Sequence, residues 1–165
     1  MALENTNTPT GLILSRQGIK DIPAKGGSRY QEALAAEKGG YLVKEVENPD
    51  VVLIANGSEV ATLIEAAKLL EENENLKVNI ASVISEGVFR LQSKEYQDSV
   101  IPKNKPLFGL TAGLPVNLEG LVGDKGKVFG LEHFGYSAPA TVLDDKFGFT
   151  GDKVSQQVLA YLKTV

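Results

Sequence analysis

From residue 40 onward the chain alternates short apolar runs with longer amphipathic stretches. Residues 41–46 alternate in part, which predicts a strand suited to a sheet edge. Asn48-Pro49-Asp50 is a turn signal. Val51-Val52-Leu53-Ile54-Ala55 is an unbroken, largely β-branched run and predicts a central strand buried on both faces. Asn56-Gly57 turns the chain, and Ser58 is placed to cap a helix running to about Glu72, with Val60, Leu63, Ile64, Ala67 and Leu70 on its apolar face. Further strands are predicted over 77–83, 106–112 and 127–131, and short helices over 85–91, 94–100 and 118–122. Residues 137–147 read as partly helical, with Ser137 as N-cap and Pro139 in the first turn. A closing helix over 152–162 turns Val154, Val158, Leu159 and Leu162 inward. Strands alternating with helices predict an α/β fold, a three-layer sandwich around a mostly parallel, five-stranded sheet.

The front of the chain does not fit that plan. Ala2-Leu3-Glu4-Asn5 reads as the last turn of a helix, with polar residues as its exit. Gly11-Leu12-Ile13-Leu14-Ser15 reads as a short strand following Pro9, and it ends abruptly in Ser15-Arg16-Gln17. Almost no chain precedes it to form a sheet, so it is expected to lie outside this chain's own sheet or to seek a partner edge. Residues 18–39 carry Pro23, Gly26 and Gly27 and read as an exposed linker with one short helix over 28–37. The expected division is 1–17 as a remnant of a preceding domain, 18–39 as linker, and 40–165 as the α/β domain.

Composition narrows the function classes. With 165 residues and 42% hydrophobic residues the chain can bury a real core. A net charge of −4 and a pI near 5.1 argue against gripping nucleic acid or an anionic membrane. There is no cysteine and a single histidine, which removes disulfides, thiolate chemistry and a structural zinc site. Without a signal pattern or an apolar run long enough to span a bilayer, a cytoplasmic location is expected.

Few residues offer chemistry. Asn56-Gly57-Ser58-Glu59 lies where strand-to-helix loops hold phosphates, but it matches neither dinucleotide nor P-loop spacing. Glu59 would repel an anion, so a turn with a cap is the better reading. His133 follows a strand end and could act as a base, yet Gly135-Tyr136-Ser137-Ala138-Pro139 is not a nucleophile elbow, and a surface histidine is the simpler reading. Glu71-Glu72 and Asp144-Asp145 lack the ligand pattern of a calcium loop. Phe147 and Phe149 flank Gly148 and could stack a ligand ring, though packing under the last helix is the ordinary outcome. Arg16 alone occupies a suggestive place, beyond the carboxyl end of a strand, where its planar fork suits a phosphate. A surface arginine or one paired with a carboxylate is the other reading.

Taken in order, several segments resemble transketolases. Pro9-Thr10-Gly11-Leu12-Ile13-Leu14-Ser15-Arg16-Gln17 resembles the end of their pyrimidine-binding domain. Gly40-Tyr41-Leu42-Val43 with the run from Asp50 to Val60 resembles the opening of their C-terminal domain. Ser99-Val100-Ile101-Pro102, Phe134-Gly135-Tyr136-Ser137-Ala138-Pro139 and Phe147-Gly148-Phe149-Thr150 complete the pattern.

The resemblance implies the C-terminal segment of a thiamine-diphosphate enzyme that moves a two-carbon ketol unit between sugar phosphates. It also implies a homodimer with the cofactor and a divalent metal such as magnesium between the chains. It assigns Arg16 to the sugar phosphate. No catalytic, cofactor or metal residue carries over, so the chain alone is expected to be inactive and to bind no cofactor. Met1 would then be an added start. There are departures: Thr111-Ala112-Gly113 stands where the family often has Glu before Ala-Gly, 114–126 fits loosely, and His133 matches no family motif. The alternatives are another thiamine enzyme sharing this domain, such as a deoxyxylulose-phosphate synthase or the β part of a 2-oxoacid dehydrogenase, and a non-catalytic binding or regulatory module. Ser-Arg-Gln and Phe-Gly-Phe-Thr favour transketolase.

Overall fold

A computed structural model describes residues 3–15 and 18–165. Five strands form one sheet: β1 (Tyr41–Lys44), β2 (Val51–Ala55), β3 (Val78–Ser82), β4 (Leu107–Leu110) and β5 (Lys127–Phe129). Their order across the sheet is β1-β3-β2-β4-β5. β2, β3, β4 and β5 pair in parallel, and β1 runs antiparallel along β3 at one edge. The expected three-layer α/β sandwich with a mostly parallel five-stranded sheet is therefore the fold, and residues 41–44 do form an edge.

β2 shows why the layers form. All five of its residues are buried, and they alternate between two cores. Val51, Leu53 and Ala55 join one core with α2 (Glu59–Glu74) and α7 (Gly151–Leu162). Val52 and Ile54 join the other, with α3 (Glu86–Arg90), α4 (Lys94–Val100) and α5 (Val116–Val122). A period of two on a strand covered on both faces has no polar side to spare. Where α2 and α7 meet, a side chain at Gly151 would come within 2.7 Å of Glu65 Cβ, so the glycine sets how closely the two helices approach.

α7 corrects the expected inward face. Val154 and Val158 are fully buried, but Leu159 and Leu162 are half-buried, and the third buried hydrophobic side chain is Tyr161. Its hydroxyl accepts from Leu107 N–H at 3.2 Å and donates to the Lys125 carbonyl at 2.9 Å. A buried tyrosine needs such partners, and the strand-edge backbone supplies them.

Two expected caps also differ. Ser58 has helical backbone angles (φ −64°, ψ −30°), and its hydroxyl donates to Glu59 Oε1 at 2.8 Å instead of accepting from the helix. A capping hydroxyl needs an extended backbone to reach the free N–H groups. α6 (Ala140–Phe147) is preceded by Pro139 at the N-cap position, not by Ser137. The residue before a proline is pushed toward extended angles, so the helix cannot start earlier.

The linker helix forms over Arg29–Ala33 (α1) and continues as a 3-10 turn over Leu34–Lys38. The segment ahead of it is tied down. Glu32 Oε1 accepts from Lys25 N–H at 2.7 Å and Gly26 N–H at 3.3 Å, and Oε2 meets Arg29 at 3.0 Å. Arg29 also donates to the Tyr41 hydroxyl at 2.9 Å, anchoring the linker to β1. Burial pushes the Glu32 carboxyl up, but the two amide donors and the Arg29 guanidinium outweigh it and hold the group below its ordinary value.

The strand expected over 11–15 does not form. These residues belong to no sheet, and Leu12, Ile13 and Leu14 are 82%, 96% and 76% exposed. A strand exists only through a partner's hydrogen bonds, and among the described residues no backbone bond reaches this segment. Among the described residues no helix is long and apolar enough to cross a membrane.

Candidate functional site

The chain leaves β2 for β3 on one side and later returns to β4 on the other. The order therefore reverses between β2 and β4, and sheets of this kind place ligands beyond the carboxyl ends of the strands at such a point. Here that crest carries Asn56-Gly57-Ser58-Glu59 after β2 and Thr111-Ala112-Gly113 after β4.

Its geometry does not suit an anion. The Glu59 carboxylate, held by the Ser58 hydroxyl, stands at the N-terminus of α2, where an anion would otherwise be attracted. Thr111 is buried, and its hydroxyl accepts from Gly113 N–H at 3.1 Å, closing a small turn. The position where the resembled family often carries an acid is thus spent on loop structure.

The next loop along the crest, after β5, holds the aromatic residues. His133 is exposed, and its Nδ1–H donates to the Phe134 carbonyl at 2.8 Å. Its ring lies 5.2 Å from Phe147 and 6.3 Å from Tyr136, centre to centre, and Tyr136 stacks on Phe147 at 5.7 Å. Lys146 Nζ sits 4.7 Å over the Tyr136 ring. Among the described residues no serine or carboxylate side chain bonds to His133, so the base-and-nucleophile reading has no geometry behind it. Phe147 belongs to this surface cluster, whereas Phe149 is buried against Phe129, 5.1 Å away. Phe134 projects with 96% exposure.

The acidic pairs are paired with lysines or face solvent. Glu71 meets Lys44 at 2.7 Å, Glu72 faces Lys68 at 3.8 Å and Asp145 meets Lys153 at 2.9 Å. Among the described residues no group of three His, Cys, Asp or Glu could hold a metal ion. On the opposite face, Lys103 donates to the Leu121 carbonyl at the end of α5. Burial, with Lys94 and Arg90 nearby, pulls its ammonium below the ordinary lysine value. Tyr96 donates to the Gly40 carbonyl at 2.8 Å, and burial raises its phenol. Both contacts join elements of the body and serve structure. Arg16, the residue singled out for a sugar phosphate, lies outside the described residues.

Fold and crest together define a doubly wound α/β domain. The comparisons with known proteins identify it further. The family description of a transketolase-like TK C-terminal domain matches residues 39–150, and the chain belongs to that family. Transketolase from Staphylococcus aureus is 36% identical over 164 residues, covering 97% of this chain and 24% of that protein. Transketolase from Aquifex aeolicus is 35% identical over 161 residues, covering 96% and 23%.

Among solved structures, a transketolase variant from Pichia stipitis superposes with a TM-score of 0.78 at 27% identity, covering 90% of this chain and 21% of that one. Transketolase from Leishmania mexicana gives 0.74 at 30%, covering 86% and 20%. The chain thus spans about a quarter of the length of the curated relatives it matches.

Proposed function

We propose that this chain is the C-terminal part of a transketolase whose full assembly transfers a two-carbon ketol unit from a ketose phosphate to an aldose phosphate. The observation that carries the reading is the alignment of nearly the whole chain with about a quarter of the length of proteins named transketolase, over a match to the transketolase-like C-terminal domain. Solved relatives include complexes with xylulose and sedoheptulose phosphates, which supports sugar phosphates as the substrates. Thiamine diphosphate with a divalent metal supplies the carbanion chemistry in such an assembly. In this reading the cofactor is held by parts of the assembly outside this chain, which spans 24% of the length of the Staphylococcus aureus relative.

In this reading residues 1–17 belong to the preceding pyrimidine-binding domain, and the exposed Leu12, Ile13 and Leu14 pack there. Arg16 then holds the phosphate end of the sugar and so orients the reacting carbons. The assembly is a cytoplasmic homodimer that binds neither nucleic acid nor membrane, consistent with the acidic composition. In this reading the 40–165 body serves assembly.

The test is a ketol-transfer assay on the chain alone with thiamine diphosphate, magnesium and sugar phosphates. No turnover is expected. Turnover above the protein-free rate would overturn the assignment of the cofactor site to a region outside this chain.

A further inference from the structure

The Asn56-Gly57 turn is not used by the proposed function, and its surroundings are unusual for an asparagine. Both residues are exposed at the carboxyl end of the central strand. Among the described residues the Asn56 side-chain amide makes no hydrogen bond, and the Gly57 N–H donates none; the only backbone bond at Gly57 is its carbonyl accepting from Val60 N–H at 3.4 Å. Gly57 has φ +57°, and a side chain built there would meet only the Glu59 carboxylate, at 3.9 Å. Among the described residues the backbone nitrogen after Asn56 is therefore not committed to a partner, and the space beside the Gly57 Cα is open.

We infer that Asn56-Gly57 is a self-modification site at which Asn56 loses ammonia to give aspartate and isoaspartate. Water is the only co-reactant. The Gly57 nitrogen gives up its proton and attacks Asn56 Cγ. The N–Cγ bond forms, the Cγ–Nδ2 bond breaks, and ammonia leaves with a proton from solvent. Water then opens the five-membered imide. Attack at Cγ breaks the new bond and yields aspartate. Attack at the main-chain carbonyl breaks the original peptide bond and yields isoaspartate, whose chain runs through the side-chain carbons.

Glycine favours the closure because no Cβ crowds the attacking nitrogen and its backbone reaches conformations closed to other residues. Elsewhere in this chain no asparagine is followed by glycine. Asn73 and Asn104 are also exposed, but they precede Glu74 and Lys105.

The product changes the join between a wholly buried central strand and the longest helix packed against it. β2 is wholly buried, and α2 supplies Val60, Leu63, Ala66, Ala67 and Leu70 to the core. Isoaspartate lengthens the backbone between them by one atom. It also adds a carboxylate beside Glu59.

The test is ageing of the purified chain at body temperature and mildly alkaline pH, followed by peptide mass mapping and methylation with an isoaspartyl methyltransferase. The peptide holding residue 56 is expected to gain about one mass unit and to accept methyl groups. Its conversion should run about tenfold or more faster than that of the peptides holding Asn73 and Asn104. Asn56→Gln should abolish both signals. Equal rates at the three asparagines, or methylation persisting in Asn56→Gln, would overturn the site. The aged chain should also melt below Asn56→Asp, which has the added charge on an ordinary backbone. Equal melting would overturn the claim that the product changes the join between β2 and α2.

Discussion

Every residue of Val51–Ala55 is buried, whereas Leu12, Ile13 and Leu14 are 82%, 96% and 76% exposed. Both are short aliphatic runs with strand-like composition. The difference lies in their neighbours. Val51–Ala55 has β3 on one side, β4 on the other and helices over both faces. Residues 11–15 have none of these, so their backbone groups and side chains stay with water. Burying a large aliphatic side chain is worth about 1.5–3 kcal/mol, and that gain exists only where a second surface is available. An apolar run therefore announces that burial is wanted; it does not say which body provides it.

The largest expected effect falls on the buried run. Leu53→Ala should lower unfolding stability by about 2–5 kcal/mol in urea melts, because its site is closed on both faces and cannot collapse. A loss below 1 kcal/mol would show that β2 is not the packed centre.

The exposed run is expected to matter through Arg16. In the longer transketolase, Arg16→Ala should cut kcat/KM for sugar phosphates by about 10–100-fold, chiefly through KM, the loss expected for charge-assisted hydrogen bonds. An unchanged KM would remove Arg16 from the phosphate site.

Tyr161→Phe comes next. It removes the hydroxyl that satisfies the buried Leu107 N–H, so a loss of about 1–3 kcal/mol is expected in the same melts.

A smaller effect concerns the linker between the two runs. Because the Glu32 carboxyl is held below its ordinary value of 4.5, its contribution is complete above that value. It should fade as pH falls through the lowered one. Hydrogen exchange of the Lys25 and Gly26 amides should speed up in acid before β2 does, and Glu32→Gln should show that speed at neutral pH. Identical protection at both pH values would break the link.

The smallest effect sharpens the comparison. Replacing Leu12, Ile13 and Leu14 together by Ser should leave the stability of this chain within about 0.5 kcal/mol, since nothing here covers them. A larger loss would mean that they pack on the body after all.

Much of the fold was legible because periodicity reports directly on burial. The five strands, the edge position of β1 and the long helix α2 all follow from runs of two- and 3.6-residue period. Details that depend on a distant partner were not. Tyr161 was missed as a core residue because its hydroxyl is satisfied by the Leu107 and Lys125 backbone, far away in sequence. Ser58 holds the expected N-cap position of α2, but its helical backbone angles keep the hydroxyl from capping, and at α6 Pro139 takes the place expected for Ser137. For the candidate site, the sequence already argued that Asn56-Gly57-Ser58-Glu59 suits no anion, and Glu59 stands where that reading put it. For His133 the sequence favoured a surface histidine over a base, and its exposed ring lies among Tyr136 and Phe147 with no acid or nucleophile bonded to it among the described residues.

By itself, then, the sequence determined the layer architecture, the absence of thiol and zinc-cluster chemistry, and membership of a family through motifs kept in one order. Each of these rests on residue type and spacing, which need no coordinates. Tertiary structure alone decided which apolar residues are covered, which polar ones are satisfied, and that the β2–α2 turn leaves Asn56 and Gly57 exposed. Those outcomes depend on which surfaces meet, and surfaces brought together by folding are distant along the chain.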